Sequence, residues 1–237
     1  MIDRIVELDY SLMRLLNGSD SIFVDGVMAG ITEPLTWSLL YVAMIMLVVR
    51  NNQRASRVAL IIAAALACVL LSSLVCNGLV KPAVGRLRPY QDPAIASWID
   101  TVWGVGDDSF SFFSAHSANT LSLAVFMALL VRSRVLTLWL VVWSLLNGYS
   151  RVYLGMHFPS DVVMGLLCGA VIGVAMYGVY RFAVGKFYSS YSYISSHYTS
   201  TGYDHEDVAM VVLVMVATLG YVLIRAIVEY GFTEIRL

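Results

Sequence analysis

Long apolar blocks dominate the hydrophobic pattern of this chain, and short polar stretches separate them. Most blocks approach the roughly 20 residues that an α-helix needs to cross a bilayer core. Backbone polar groups in lipid must pair internally, so these blocks are predicted to be helices. A membrane β-barrel would instead show short alternating segments. Spans are predicted at residues 34–49, 58–80, 115–131, 135–149 and 159–182, with a sixth near 208–230.

The first 33 residues follow a different pattern. Residues 2–17 carry apolar side chains at helical spacing, but charged residues such as Asp3 and Arg14 interrupt them. That pattern is typical of a helix lying in the membrane interface. Residues 20–33 are weakly apolar and ambiguous. No small-residue cleavage site follows a clean apolar core, so the segment is not predicted to be a signal peptide.

The link between the last two spans, residues 186–207, is rich in Tyr and Ser. Its simplest interpretation is a solvated loop. Tyr favours the boundary between membrane and water, so a loop lying along the membrane surface is the alternative. His197 and His205 lie in or beside this link, and no chemical role is assigned to them.

Composition supports the membrane assignment. Of 237 residues, 59% are hydrophobic and 13% are charged, whereas soluble domains have about 25% charged residues. A net charge of −1 gives no indication of nucleic-acid binding. The three cysteines lie inside apolar blocks and are interpreted as small core residues. The predicted fold is an all-α polytopic transmembrane bundle of about six spans, forming one domain over 1–237 with an interfacial segment at 1–33.

Ionisable residues gather at the edge of one predicted span, in the stretch 150–161. Pro159 suits the first turn of a helix, where its missing N–H costs nothing, so a helix is predicted to start there. His157 would precede that helix and Asp161 would lie in its first turn, where the carboxylate can reach back toward the imidazole. Such a carboxylate fixes the tautomer and leaves the other ring nitrogen as a nucleophile. The alternative is that Asp161 only complements the helix dipole.

A second polar stretch opens the span that begins near residue 115. Ser114 is a good N-cap residue, and the N-terminus of a helix presents free N–H groups that bind phosphate. His116 would stand in the first turn beside such an anion, able to give or take a proton. The alternative is a capped helix that carries a histidine by chance.

Cations complete the set. Lys81 and Arg88 come from a third stretch, and Arg151 lies beside the candidate nucleophile. Arg offers a planar fork that matches phosphate oxygens, and Lys offers a point charge. Taken singly, such residues are more often snorkelling side chains or contacts to lipid headgroups. Together with the histidines and the aspartate they form the inventory that phosphoryl transfer needs.

The orientation follows from the Lys and Arg count. If the six predicted spans alternate in direction, seven such residues fall on each side. Setting aside the three candidate phosphate ligands Lys81, Arg88 and Arg151 leaves seven against four. The first side is then cytoplasmic by the positive-inside rule. Residues 81–113 and 150–160 are therefore predicted to face outward.

The three stretches resemble the type 2 phosphatidic acid phosphatase superfamily, whose active-site fold is shared with vanadium haloperoxidases. The family pattern is Lys-x6-Arg-Pro, then Pro-Ser-Gly-His, then Ser-Arg-x5-His-x3-Asp. The first and third motifs are matched in full by Lys81, Arg88, Pro89, Ser150, Arg151, His157 and Asp161.

The second motif is matched in half. Ser114 and His116 stand in place, but Phe113 replaces Pro and Ala115 replaces Gly. Gly permits the nearest backbone approach to phosphate, so the replacement bears on how closely this turn contacts the anion. The resemblance covers about 81–182, under half of the chain.

The resemblance implies a role for each matched residue. His157 would attack phosphorus and form a phosphohistidine, Asp161 would orient it, and His116 would protonate the leaving oxygen and then activate water. The phosphate would be held by Lys81, Arg88, Arg151 and Ser114. Family members of this type need neither a metal nor another cofactor.

The leading hypothesis is a phosphatase acting on a lipid phosphate at the outer leaflet of an inner membrane, facing the periplasm or the cell exterior. Within the family the candidate substrates are undecaprenyl diphosphate, lipid A phosphates, phosphatidylglycerol phosphate and phosphatidic acid. The half-matched motif and the C-terminal segment suggest a specialised subgroup such as lipid A phosphatases. Nothing in the sequence indicates the oligomeric state.

Two hypotheses from other classes stay open. One is a catalytically inactive protein that binds a lipid phosphate. The altered stretch 113–115 supports it, and the intact histidines His116 and His157 argue against it. The other is a transporter, for which the spans show no clear internal repeat.

Overall fold

Helices make up nearly all of the computed structural model of this chain, which describes residues 2–102, 109–187 and 196–231. Within these ranges the β-structure amounts to one isolated bridge, between Tyr198 and Asp204. The nine α-helices described are α1 Ile2–Leu16, α2 Ile22–Thr32, α3 Ser38–Arg50, α4 Ala55–Ser73, α5 Lys81–Val84, α6 Ala115–Val131, α7 Arg134–Tyr153, α8 Pro159–Phe187 and α9 His205–Ala226.

Short helical turns of other types extend several of these helices. A 3₁₀ turn at Pro34–Trp37 leads into α3, and Pro89–Gln91 forms another. π-helical turns at Leu74–Val80 and Ile227–Gly231 continue α4 and α9. The first of these turns joins α4 to α5, so Lys81 lies in the last turn of one continuous helical stretch.

The helix starts follow the local sequence. Ser114 caps α6 and Ser133 caps α7, each accepting a hydrogen bond from the backbone N–H three residues later. Side chains of this kind satisfy N–H groups that the helix leaves without a partner. Arg132, with φ of 56°, turns the chain between these two helices. As predicted, α8 starts at Pro159.

All six predicted spans are helical, but the structure does not fix the number of crossings at six. Within the described residues, four helical stretches are long and apolar enough to cross a membrane: Ala55–Gln91, Arg134–Tyr153, Pro159–Gly185 and His205–Tyr230. A fifth exists if Ile22–Thr32 and Pro34–Arg50, which are bent by 63°, count as one span. Helix α6 is apolar but has 17 residues. The ambiguous segment 20–33 thus forms α2, half of the bent pair.

Helices α6 and α8 pack closely against each other. Gly165, Gly169 and Gly173 recur every fourth residue along α8, so they share one face. A β-carbon at these positions would collide in turn with the backbone oxygens of Ser114, Ala118 and Ser122 on α6. Small residues that let two backbones approach are typical of helix packing in membranes. This face brings the first turns of the two helices together.

A large apolar core fills the space between α3, α4, α6, α7 and α9. Trp37 and Trp143 meet within it edge to face, with their ring centroids 5.8 Å apart. Helix α2 packs on α9, where a β-carbon at Gly30 would lie 2.9 Å from a methyl group of Val222. The C-terminal helix is therefore part of the bundle core.

The link at 186–207 is not entirely a solvated loop. Helix α8 runs on to Phe187, and residues 188–195 lie outside the described part. His197 is exposed, but Thr199 and Tyr203 are buried. The Tyr203 hydroxyl accepts a hydrogen bond of 3.2 Å from the Asn52 side chain. The prediction of a solvated loop is therefore wrong for these two residues, because Tyr203 packs into the apolar core.

We expect Gly169→Ala to destabilise the α6–α8 pair, because its methyl group would meet the Ala118 backbone oxygen. Overpacking of this kind costs about 1–3 kcal/mol, which corresponds to several degrees in Tm, measured by thermal unfolding of the protein in detergent. Gly178→Ala on the same helix is the matched control, since nothing lies within 4 Å of its new methyl group. Equal Tm values for the two variants would contradict the tight contact.

Candidate active site

His157 lies in the tight connection between α7 and α8. The backbone N–H groups of Met156 and His157 both donate to the Arg151 carbonyl, at 3.0 and 3.2 Å. Gly155, with φ of 68°, makes the preceding turn in a conformation that favours glycine. The His157 side chain is buried. The short connection thus fixes the imidazole between the ends of two helices.

Asp161 lies in the first turn of α8, and its carboxylate is near two groups. Its Oδ2 accepts the Phe158 backbone N–H at 3.0 Å, which caps the helix start. The same oxygen lies 3.8 Å from Nδ1 of His157, close to the imidazole but beyond a direct hydrogen bond. The Asp161 carboxylate therefore caps the helix start and lies near the imidazole, and a third residue closes the gap between them.

Ser111 is that residue. Its fully buried hydroxyl donates to Oδ2 of Asp161 and lies 3.3 Å from Nδ1 of His157. A hydroxyl whose proton is given to a carboxylate has only lone pairs left, so it can accept from an N–H group. This arrangement assigns the imidazole proton to Nδ1 and leaves Nε2 with a free lone pair. None of the matched motifs includes Ser111, so no signal in the sequence pointed to this residue.

The charge state of His157 suits a nucleophile. Burial lowers the pKa of His157 to about 4. Asp161 opposes this shift, while the positive charges of Arg151 and Arg88 add to it. Desolvation disfavours the charged imidazolium, and neighbouring cations do the same. The imidazole is therefore neutral near pH 7.

The start of α6 lies beside His157 and Asp161. The Ser114 backbone N–H donates to the Asp161 carbonyl at 3.0 Å, which joins the first turns of α6 and α8. His116 is half-buried in that first turn. The side chains near enough to act electrostatically on His116 are Lys81, Arg88, Arg151 and His157. Residues from all three predicted stretches thus come together.

The three candidate phosphate ligands are buried cations. Ser109 links two of them: its carbonyl and hydroxyl accept from the Arg88 guanidinium at 2.7 and 2.8 Å, and its hydroxyl accepts from Lys81 at 3.3 Å. Arg88 also donates to the Met156 carbonyl at 3.2 Å, beside His157. Arg151 donates to the Thr32 hydroxyl of α2 at 3.1 Å. Several elements therefore hold these cations around one point.

Arg86 is a cation to which the sequence assigned no chemical role. Its two terminal nitrogens each lie 2.7 Å from a carboxylate, one from Asp161 and one from Asp9 of α1. The guanidinium carbon lies 3.9 Å from the centre of the Phe158 ring. Asp9 and Met13 are buried and one helical turn apart. A carboxylate on the buried stripe of an amphipathic helix was the available signal for Asp9.

An apolar cavity of about 420 Å³ extends from His116 between α3, α4, α6 and α7. Polar side chains such as Asn119 line it near His116, and apolar residues such as Met44 and Ile61 line the rest. Along α6 its lining runs from His116 to Met127, which is ~16 Å at the rise of an α-helix. The cavity can therefore hold an apolar group attached to a phosphate at the site.

Known proteins match this sequence and architecture. The model of the PAP2 superfamily matches residues 60–185. A lipid A 4'-phosphatase of Bacteroides thetaiotaomicron is 33% identical over 178 residues, covering 75% of this chain and 79% of that protein. A lipid A 4'-phosphatase of Porphyromonas gingivalis is 32% identical over 77% of both chains.

The architecture has a counterpart among solved structures. A transmembrane PAP2-type phosphatidylglycerolphosphate phosphatase of Bacillus subtilis superposes with a TM-score of 0.57 at 24% identity, covering 78% of this chain and 89% of that one. The expected all-α membrane fold, the family and the phosphatase class are thereby confirmed. The matched segment is more than half of the sequence, and it shows that this chain belongs to the PAP2 superfamily.

Proposed function

We propose that this membrane protein removes a phosphate group from lipid A through a phosphohistidine intermediate on His157. The observation that carries the proposal is the juxtaposition of a neutral, oriented imidazole, three buried cations and an apolar cavity that begins at His116. An amphipathic phosphate ester fits such a site, since its phosphate and its apolar part need different surroundings. The two lipid A 4'-phosphatases at 32–33% identity support the choice of lipid.

The first step is attack of Nε2 of His157 on phosphorus. The N–P bond forms as the P–O bond to the lipid breaks, and the imidazole becomes positively charged. The Nδ1 proton stays on the ring, where Ser111 and Asp161 compensate the new charge. His116, which carries a proton once the negative phosphate is bound beside it, gives that proton to the departing oxygen, so the lipid leaves as a neutral hydroxyl.

The second step reverses the proton transfer. His116, now neutral, takes a proton from a water molecule as its oxygen attacks the phosphohistidine. The N–P bond breaks, and inorganic phosphate leaves with His157 neutral again. One residue serves as acid and then as base, as in other reactions that proceed through a covalent enzyme intermediate.

Positive charge stabilises both transition states. Lys81, Arg88 and Arg151 surround the phosphoryl oxygens, and the N–H groups at the start of α6 add a helix N-terminus beside Ser114. The cations are held by Ser109, Met156 and Thr32 before substrate arrives. Groups fixed in advance need no reorganisation during the reaction.

We also infer where this chemistry takes place. The chain forms one membrane domain over 1–237, with the chemistry in 81–182 and with α1, rather than all of residues 1–33, along the interface. Once the three candidate phosphate ligands are set aside, the excess of Lys and Arg on the opposite side supports a site facing the periplasm or cell exterior from the inner membrane. The lipid's headgroup would meet the site there while an acyl chain enters the cavity.

His157→Ala is expected to abolish phosphate release, because no other group supplies the nucleophile. Asp161→Asn is expected to lower kcat by roughly 10³–10⁴-fold, by analogy with the aspartate that orients a catalytic histidine. Phosphate release from lipid A in detergent measures both. The matched control is His205→Ala, which removes an exposed histidine at the start of α9. Wild-type rates in His157→Ala would refute the proposed nucleophile.

The substrate is tested with a panel of lipid phosphates. We expect the highest kcat/KM for lipid A carrying a 4'-phosphate, above lipid A with only a 1-phosphate, undecaprenyl diphosphate, phosphatidylglycerol phosphate and phosphatidic acid. A tenfold preference for another lipid would contradict the lipid A assignment and leave the phosphatase in place. Release no faster than His157→Ala on every lipid would instead favour the inactive binding protein.

The acid limb of kcat/KM should lie near pH 4. Burial lowers the pKa of His157 to about 4, so falling pH protonates the nucleophile only in that range. An unperturbed histidine would lose its lone pair near pH 6.5. Initial rates between pH 3.5 and 8, corrected for the ionisation of the lipid phosphate, give the midpoint. A midpoint near 6.5 would show that His157 is not buried in the way described.

A further inference from the structure

We propose that Asp9, on the N-terminal helix α1, is a positioning residue of the phosphatase: it holds and partly neutralises Arg86, which in turn holds Asp161 beside His157. The inference rests on the proposed phosphatase function. It assigns to α1, which lies outside the segment matched by the family model, a part in the chemistry.

Asp9 fastens α1 to the start of α8. Its carboxylate is buried at 2% exposure. Oδ1 accepts the Ser160 backbone N–H at 2.9 Å, and Oδ2 accepts the Ser160 hydroxyl at 2.5 Å. Oδ2 also accepts from Arg86 at 2.7 Å. A buried carboxylate is costly unless it is paired and hydrogen-bonded, and Asp9 meets both conditions.

Arg86 is restrained on several sides by these contacts. One terminal nitrogen donates to Asp9, and the other donates to Asp161 at 2.7 Å and to the Ser160 hydroxyl at 2.9 Å. The aromatic face of Phe158 covers the guanidinium. The planar fork of Arg suits such a bridge between two carboxylates, and Lys would not reproduce it. The position of Arg86 therefore depends on Asp9.

The Asp161 carboxylate passes this restraint on to the nucleophile. Arg86 occupies Oδ1, which leaves Oδ2 for Ser111 and the Phe158 N–H. Ser111 then lies 3.3 Å from Nδ1 of His157. Rotation of the carboxylate would break this contact, so the bridge from Asp9 sets the orientation of the imidazole.

The bridge also sets the charge that His157 experiences. Arg86 lies between two carboxylates, so its positive charge is shared between Asp9 and Asp161. Without the charge of Asp9, the full positive charge of Arg86 would act on Asp161 and weaken the negative potential at His157. The imidazolium formed during attack would then be less stabilised. The other ionisable groups facing His157, which are Arg88, Arg151 and His116, stay as they are.

Asp9→Asn tests this proposal, with Glu7→Gln as the matched control. Glu7 is an exposed carboxylate on the same helix, so its substitution removes the same charge without touching the bridge. For Asp9→Asn we expect kcat to fall by about 10–100-fold, the range found for the outer hydrogen-bond partners of metal-bound histidines. KM should stay within about twofold, because the phosphate-binding cations are unchanged. The acid limb of kcat/KM should move to lower pH, since protonated His157 loses stabilisation.

Two more variants separate positioning from simple anchoring of α1. Asp9→Glu keeps the charge and should retain the wild-type acid limb with an intermediate kcat, even if Asp9→Asn proves too unstable to assay. Asp9→Asn combined with Arg86→Gln removes both charges. Because the two residues act through one contact, the fold-loss in kcat of the double variant should be smaller than the product of the two single fold-losses.

The opposite results are equally clear. If Asp9→Asn lowers Tm but matches Glu7→Gln in kcat and in the acid limb, Asp9 is only an anchor and the proposal is wrong. An acid limb for Asp9→Glu that differs from the wild type's would also overturn it. A wild-type enzyme no faster than His157→Ala would overturn the phosphatase function and this inference together, which distinguishes the two failures.

Discussion

The site depends on the close contact between the first turns of α6 and α8. The glycine face of α8 lets the two backbones approach, and the Ser114 N–H bonds to the Asp161 carbonyl at 3.0 Å. This contact places the N-terminus of α6 beside the residue whose side-chain carboxylate lies near His157. Helix packing in lipid lacks a strong hydrophobic drive, so small residues and hydrogen bonds decide such contacts.

A buried polar cluster at the edge of a membrane bundle needs internal compensation. Here each buried charge has a defined neighbour: Ser109 accepts from Lys81 and Arg88, and Arg86 joins two carboxylates. Such networks are favourable only when their members are satisfied. The hydrogen bonds that compensate these buried charges also fix their orientation. The same buried surroundings therefore both lower the pKa of His157 and orient its imidazole.

The sequence predicted those parts of the site that follow from local chemistry. Pro159 marks a helix start, Ser114 marks a cap, and the three motifs contain the residues that the structure brings together. It could not predict that Asp9 pairs with Arg86, which lies 77 residues away in the chain. Ser111 carries no motif either, and its role depends on where Asp161 lies after folding. The number of crossings also stayed open, because the chain bends at Glu33 and Pro34, and the sequence does not show whether the helices on either side form one span.

The hydrogen bond between Arg151 and Thr32 connects the site, through α2, to helix α9. Thr32 ends α2, and α2 packs on α9 through the close approach of Gly30 to Val222. Helix α9 therefore supports α2, whose Thr32 holds Arg151, a candidate phosphate ligand. Shortened versions of this protein that stop after α8 would keep every motif residue, yet they would lack the support that α9 gives to α2.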